Sequence, residues 1–530
     1  MIRGSIGPSD SSISVISQIQ VGADMTLELN GTNLSIEDLE SVARDECQVS
    51  VSDASWDRIR ACRDMIRKKI DAHEVMYGVT TGIGEFSEVV LTPEQVREFQ
   101  RYLVYSHAAG IGDAMPADVV RGAMTGRINV HCHGNSAGRE ELTQMLVEML
   151  NRGVTPVVAS KGSVGACGDL SPMAQVAMVM MGEGEAWHDG KLLSAVDALA
   201  STGLSPIELQ ARDGLAIING SNMLTAMAAL TLCDATRWLR LHDIATAMTL
   251  EALNVNMQPY DARLHELRGF AGSQKVASNI RRLTDGSHIL AQEGKKVQDA
   301  YSLRSTPQVI GGLRDGIEYA RSQVEIELNG VGDNPVFLVD EQRVITGANF
   351  QGTPVSLPME MVGTGLSMGA VLSERRLNRM TNPALSGGLP PFLTEHAGMH
   401  SGMMVAQYTA CALIAETRIL AHPAANQSIP AAADQEDFVS MGLTTTQKTQ
   451  QIMENCFGVL AIEMVASAQA LDIRGGKPGA GVAAAHGVIR EHIDHLDEDR
   501  PLYPDNYTMV ELLKSGKLLD AVEDAIGALD

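Results

Sequence analysis

The sequence predicts a mainly α-helical fold, with a smaller mixed part to about residue 222 followed by an elongated bundle of long helices. Three observations carry this. Aromatic residues make up only 4% of the 530 positions, while Ala, Leu and Met abound, a mix suited to close-packed helices rather than sheets. From Met223 to Leu253 apolar residues dominate with few breakers, which predicts one long buried helix. Further helical patterns run over about 308–329, 355–380, 399–420 and 443–472, with Gly330 a stop for the first. Several helices of this length imply a bundle, extended by oligomerisation.

Taken in order, residues 1–25 are Ser- and Gly-rich and read as a flexible N-terminal extension. A first domain spans 26–222, with order beginning near Leu27 and a helix start at Ser35, whose side chain can cap the first turn. A clearer start is Thr92-Pro93-Glu94-Gln95, where the cap, a proline at the first helical position and a Gln able to reach back all agree. Ser171 and Pro172 mark another helix entrance before the apolar run Met173 to Met181. The helical bundle domain takes 223–530, and its polar stretch 270–296 reads as a loop.

The net charge of -24 repels phosphate backbones, so nucleic acid is not an expected partner. The N-terminus lacks a secretory signal, and no apolar run looks long enough to span a bilayer; the one at Met223 to Cys233 ends at Asp234. Seven scattered cysteines without paired spacing fit a reducing cytoplasm. His131-Cys132-His133 looks like a ligand cluster, but alternate residues on a helix point apart, so ordinary packing and no metal are expected.

The most informative segment is Gly162-Ser163-Val164-Gly165-Ala166-Cys167-Gly168-Asp169. Its glycines let the backbone fold back on itself, and Gly168 could bring its amide nitrogen against the carbonyl carbon of Ala166. Spacing alone favours a Gly-rich turn with one buried thiol.

This segment resembles the Ala-Ser-Gly core of the histidine, phenylalanine and tyrosine ammonia-lyases and related aminomutases. The likeness runs from about residue 27 to the C-terminus, with landmarks in the family's order: Tyr77-Gly78-Val79-Thr80-Thr81-Gly82-Ile83-Gly84, Asn219-Gly220-Ser221, Gln298-Asp299-Ala300-Tyr301-Ser302-Leu303-Arg304, Asp333-Asn334-Pro335, Gly347-Ala348-Asn349-Phe350 and Gln435-Glu436-Asp437-Phe438. The resemblance implies a histidine ammonia-lyase-like fold and a 4-methylidene-imidazol-5-one group formed autocatalytically from Ala166-Cys167-Gly168, with no metal. Cys167 departs from the family's Ser. Loss of hydrogen sulfide would leave the same exocyclic methylene as loss of water; an unprocessed thiol and a silent binding protein is the competing reading.

The β-proton of an amino acid is weakly acidic and ammonia is a poor leaving group, which is why such chemistry needs a built-in electrophile and a base. The resemblance gives Tyr77 the base role, in a loop that can close over substrate, and requires its phenol pKa to be lowered. It makes Tyr301 a second catalytic tyrosine and Arg304 the clamp for the substrate carboxylate, assisted by Asn334. Asn219 and Gln298 would surround the prosthetic group, Asn219 at its carbonyl oxygen, and Phe350 would pack beside the ring.

Two features point to histidine as substrate: Glu436, where phenylalanine- and tyrosine-directed relatives carry Gln, and the pair Ser106-His107, which tyrosine aminomutases share. A carboxylate can accept an imidazole N–H. Thr80-Thr81-Gly82-Ile83-Gly84-Glu85, His400-Ser401-Gly402 and Tyr408 pull instead toward the 2,3-aminomutases, as do Asn222 and Phe438, which depart from the histidine pattern. Elimination of ammonia from L-histidine therefore leads, with a 2,3-aminomutase acting on histidine or tyrosine as the alternative. The family's homotetramer implies active sites completed by neighbouring subunits, so Tyr77, Arg304 and the 166–168 group need not come from one chain.

Overall fold

A computed structural model describes residues 26–530; the expected extension at 1–25 lies outside the described residues. Among the described residues, nineteen α-helices and nine short strands alternate in the first part and give way to helices alone over most of the second. The caps anticipated at Ser35 and Thr92 are present. Ser35 and Thr92 each accept from a backbone N–H three residues on, and Asp38 and Gln95 reach back to close capping boxes.

The first part holds small sheets that frame loops rather than a core: Thr26–Leu29 pairs in parallel with Gln48–Val51, and Ile111–Ala114 runs antiparallel to Ala159–Lys161. The helix Ala117–Cys132 passes through it with nearly every residue buried. At residue 222 the long helix Asn222–Ala252 begins, buried almost all round as its apolar run predicts. It packs with Thr306–Leu328, Thr353–Thr381 and Gly442–Arg474. Small residues let these helices approach closely: a Cβ at Gly369 would stand 2.8 Å from the Trp238 ring. One apolar core runs without a break from Leu29 to Leu529.

Thr353–Thr381 and Gly442–Arg474 are long and apolar enough to cross a membrane, contrary to the reading that no run was. Their most apolar stretches are 67% and 83% buried inside the protein. They are joined by a fully buried bidentate ion pair, Arg376 to Glu463 at 2.6 and 2.8 Å, a geometry that satisfies both charges where water is absent.

Four local expectations are corrected. The stretch 270–296 is not all loop, because Ala271–Leu283 forms a helix that buries Val276, Ala277, Ile280 and Leu283 and turns its polar face outward. The helix after the Gly-rich segment is Leu170–Met180 with Asp169, not Ser171, at its cap position; Ser171 instead accepts from the Ala109 amide at 3.2 Å. The pattern at 399–420 becomes helical only at Met404, because Gly402 adopts φ +54°. The helix expected to run to 329 and stop at Gly330 ends at Leu328, with Asn329 at its C-cap.

Candidate active site

The segment 162–169 is a tightly folded loop whose shape depends on glycine at two points. Gly168 has φ +75°, and a Cβ there would lie 2.1 Å from the carbonyl carbon of Gly220. The two strands touch through backbone: the Gly220 N–H donates to the Cys167 carbonyl at 3.2 Å, and Asp169 N–H donates to the Gly220 carbonyl at 2.8 Å. Gly165 has φ +78°, and a Cβ there would meet Ser440 Oγ at 2.0 Å. Only side-chain-free residues can adopt this backbone and permit this approach.

Asp169 anchors the loop from below. Its carboxylate is fully buried, accepting from the Leu224 N–H (2.8 Å) and from the Ser163 hydroxyl (2.8 Å). Burial pushes its pKa up to about 6 despite those donors. The Cys167 thiol points to Glu436, donating to Oε1 at 3.6 Å. Burial, followed by the adjacent Glu436 charge, pushes the thiol up to about 12, so it stays protonated near neutrality. Burial also raises Glu436 above the usual carboxylate range.

Tyr77 faces the same place. Its phenol oxygen accepts from the Gly84 N–H at 3.1 Å, closing the Gly-rich loop on itself. That loop is further tied by Gly82 N–H to the Val89 carbonyl and Leu91 N–H to the Thr80 carbonyl, each at 3.0 Å. Two adjoining cavities share Tyr77, Gly84, Cys167 and Glu436. One, of about 560 Å³, also reaches Asn334 and Phe350. The other, of about 650 Å³, is largely apolar and reaches Ser106, His107, Ala166 and Asn219. Its greasy wall is made by Phe86, Phe99, Tyr102, Leu103, Leu170 and Leu215, dimensions and chemistry that suit a small aromatic ligand.

Asn219 and Asn334 are held by a buried ion-pair network that motif reading left without a role. Asp333 accepts from Arg212 at 2.8 Å and from Arg127 at 2.9 Å, all three side chains being fully buried. Arg127 also donates to the Asn219 carbonyl, and Arg212 to the Asn334 carbonyl. The Asn219 amide donates to the Asn334 carbonyl at 2.8 Å, and Asn219 Oδ1 is buried without a partner among the described residues. Arginines inside otherwise apolar stretches were the available signal for this network.

The family model for aromatic amino acid lyases matches residues 34–491. The chain belongs to the aromatic amino acid lyase family. It is therefore an enzyme, and a small aromatic amino acid is its class of substrate. Over 507 residues it is 45% identical to a histidine ammonia-lyase of Gloeobacter violaceus, covering 95% of this chain and 99% of that one. A histidine ammonia-lyase of Alkaliphilus metalliredigens is 41% identical, with 95% and 99% covered. Among solved structures, tyrosine aminomutase from Streptomyces globisporus superposes with a TM-score of 0.91 at 34% identity, covering 96% and 100%. Histidine ammonia-lyase from Trypanosoma cruzi gives 0.88 at 33%, covering 95% and 96%.

Not every residue assigned through the family landmarks meets at this place in one chain. Gln298 and Arg304 line a separate cavity of about 370 Å³ beside Asn256 and Pro259. Tyr301 is 71% exposed, with the Arg304 guanidinium 4.4 Å above its ring. Neither cavity at Cys167 is lined by an Arg or Lys among the described residues. Consistent with that, burial raises the Tyr77 phenol, with Cys167 and Glu436 adding to the effect, the opposite of what a base requires. In the His131-Cys132-His133 run the side chains go to separate partners: Thr143 and Ala216 for His131, the Leu29 carbonyl for Cys132, the Asn329 carbonyl for His133. Burial pushes His131 down to about 3.

Proposed function

We propose that this enzyme eliminates ammonia from L-histidine, using a 4-methylidene-imidazol-5-one group made from Ala166, Cys167 and Gly168. The observation that carries the substrate is Glu436, a carboxyl with raised pKa on the wall shared by both cavities, where an imidazole N–H would find an acceptor. Relatives named for that reaction, at 40–45% identity over nearly their full length, support it. The residues fit the group: the loop tolerates no Cβ at 168, the Cys167 carbonyl is already bonded to Gly220, and the orphaned Asn219 Oδ1 marks a polar position awaiting a partner.

Such a group supplies an electrophilic methylene that captures the substrate amine and makes ammonia a workable leaving group. Tyr77 takes the β-proton from its place on the loop over the cavity. Glu436 orients the imidazole. Asn334 and Phe350 hold the carboxylate end and the ring edge, and Ser106 and His107 close the apolar side. Arg304, Tyr301 and Gln298 act from a neighbouring subunit of a homotetramer. A substrate carboxylate needs a cation that the chain does not place at its own Cys167, and Arg304 brings that charge to the phenol of Tyr77, drawing its pKa down. Exposed apolar residues on the bundle, among them Met361, Met368 and Tyr408, offer the surface for that association.

Purified protein incubated with L-histidine, and in parallel with L-tyrosine and L-phenylalanine, then resolved by mass-detected chromatography, tests the proposal. A product lighter by ammonia from histidine alone is expected. A new peak of unchanged mass would establish an aminomutase instead, the second reading favoured by the tyrosine aminomutase superposition and by a loop at 80–91 already tied shut through backbone hydrogen bonds.

A further inference from the structure

We infer that Glu436 is the general acid that releases sulfur from Cys167 when the prosthetic group is built. This inference rests on the proposal that the tripeptide matures at all. Cys167 is the residue that must lose a leaving group, and Glu436 is the side chain its sulfur touches, at 3.6 Å. The carboxyl is held there by its own backbone: Glu436 and Ala431 exchange both main-chain hydrogen bonds, at 2.9 and 3.2 Å, across a turn in which Ala432, Ala433 and Asp434 all have positive φ. Elsewhere the loop is anchored through Ser163, Asp169 and Gly220, so this is the contact that addresses the thiol itself.

The atoms balance without an oxidant. The Gly168 nitrogen bonds to the Ala166 carbonyl carbon, and that oxygen departs as water with the amide hydrogens of Gly168 and Cys167. The Cys167 Cα–H is then lost to solvent as a proton, its electron pair forms the Cα=Cβ bond, and the Cβ–S bond breaks. The sulfur leaves with its own hydrogen and needs one more proton. Protonated Glu436 supplies it, so that neutral hydrogen sulfide leaves, and is reprotonated from solvent. A hydrosulfide anion would have to form in a largely buried pocket beside a carboxylate, which desolvation and like charge both oppose. The raised pKa of Glu436 keeps more of it in the acid form needed.

The test follows sulfide release and intact mass during refolding or cell-free synthesis of the full chain, for the natural protein, Glu436→Gln and Glu436→Asp. The natural protein is expected to end lighter than its sequence by one water plus one hydrogen sulfide. Glu436→Gln is expected to release sulfide at least about tenfold more slowly, accumulating full-mass or water-loss-only chains, and to lose the natural protein's dependence of release rate on pH. Glu436→Asp, which retains an acid, should recover part of the rate, and it decides the matter if the Gln variant does not fold. Glu436→Gln in a Cys167→Ser background should slow maturation further, because hydroxide is a poorer leaving group than hydrosulfide. Sulfide release from Glu436→Gln as fast as from the natural protein overturns the inference alone. An unmodified natural protein overturns the proposed function with it.

Discussion

Replacing Asp333 by Asn removes one charge and almost no volume, and the structure allows its cost to be worked out. Both carboxylate oxygens of Asp333 are occupied, Oδ1 by Arg212 at 2.8 Å and by the Asn334 N–H at 2.7 Å, Oδ2 by Arg127 at 2.9 Å. All three side chains are shut off from water. An amide can accept from one guanidinium only; its NH₂ then confronts the other as donor against donor, and two buried cations are left without a counter-charge. Breaking a buried pair in this way costs about 3–5 kcal/mol, a large share of the roughly 5–15 kcal/mol that holds an ordinary domain together. Urea unfolding of Asp333→Asn against the natural protein measures it. Arg60→Gln, which cuts exposed pairs to Asp57 and Glu140, serves as the comparison and should leave the midpoint unmoved. Because the same arginines hold the carbonyls of Asn219 and Asn334, substrate KM should rise in the Asp333 variant at temperatures where it remains folded. A loss below about 1 kcal/mol, the size of an unremarkable substitution, would refute the view that this network is charge-balanced by Asp333.

Gly168→Ala, with its Cβ driven into Gly220, should leave the tripeptide uncyclised, read as the unmodified intact mass. Tyr77→Phe should mature normally by mass yet lose at least about a hundredfold in kcat; activity of the natural enzyme should climb with pH as the Tyr77 phenol ionises, and Arg304→Ala should move that rise to higher pH, where burial alone holds the phenol. Tyr77→Phe and Arg304→Ala should each be inactive alone but recover activity when co-expressed, whereas no recovery would place both residues in one chain's site. The Asp169 carboxyl titrates near 6 in the folded protein against an ordinary 3.8, so the folded chain holds that proton more tightly than the unfolded one. Its contribution is intact below about pH 4 and is lost as pH rises through about 6, worth about 3 kcal/mol; Asp169→Asn should flatten the fall in urea midpoint between about pH 4 and 7.

The long helices were legible because their signals are local: a Ser35 or Thr92 cap, and an apolar run such as 223–253, act within a few turns of themselves. The helix Ala271–Leu283 was missed, because its outward polar face disguised the spacing of Val276, Ala277, Ile280 and Leu283. Ser171 looked like a cap because it has the right side chain, while the residue at the cap position, Asp169, spends its carboxylate on a different helix at Leu224. The tight fold of the loop around Ala166-Cys167-Gly168 was readable from its glycines. The Arg127–Asp333–Arg212 network was not, since its members come together only through folding across more than a hundred residues. Nor could residue order reveal that Tyr77 and Cys167 meet within a chain while Arg304 stands apart; that depends on tertiary packing.

The loop bearing Cys167 is stitched to segments far along the chain: to Gly220, to Leu224 through Asp169, and to the Met441 N–H, which donates to the Val164 carbonyl at 2.9 Å. A nascent polypeptide that has not yet delivered residue 441 cannot assemble this clamp. Under the proposed maturation, the sulfur on Cys167 becomes a record of unfinished synthesis. Chains cut short, or halted with the C-terminal helices undocked, would keep it, and chains that complete the fold would shed it. A thiol-reactive tag applied to cell extracts would accordingly mark, at this one position, the fraction of molecules that never finished folding.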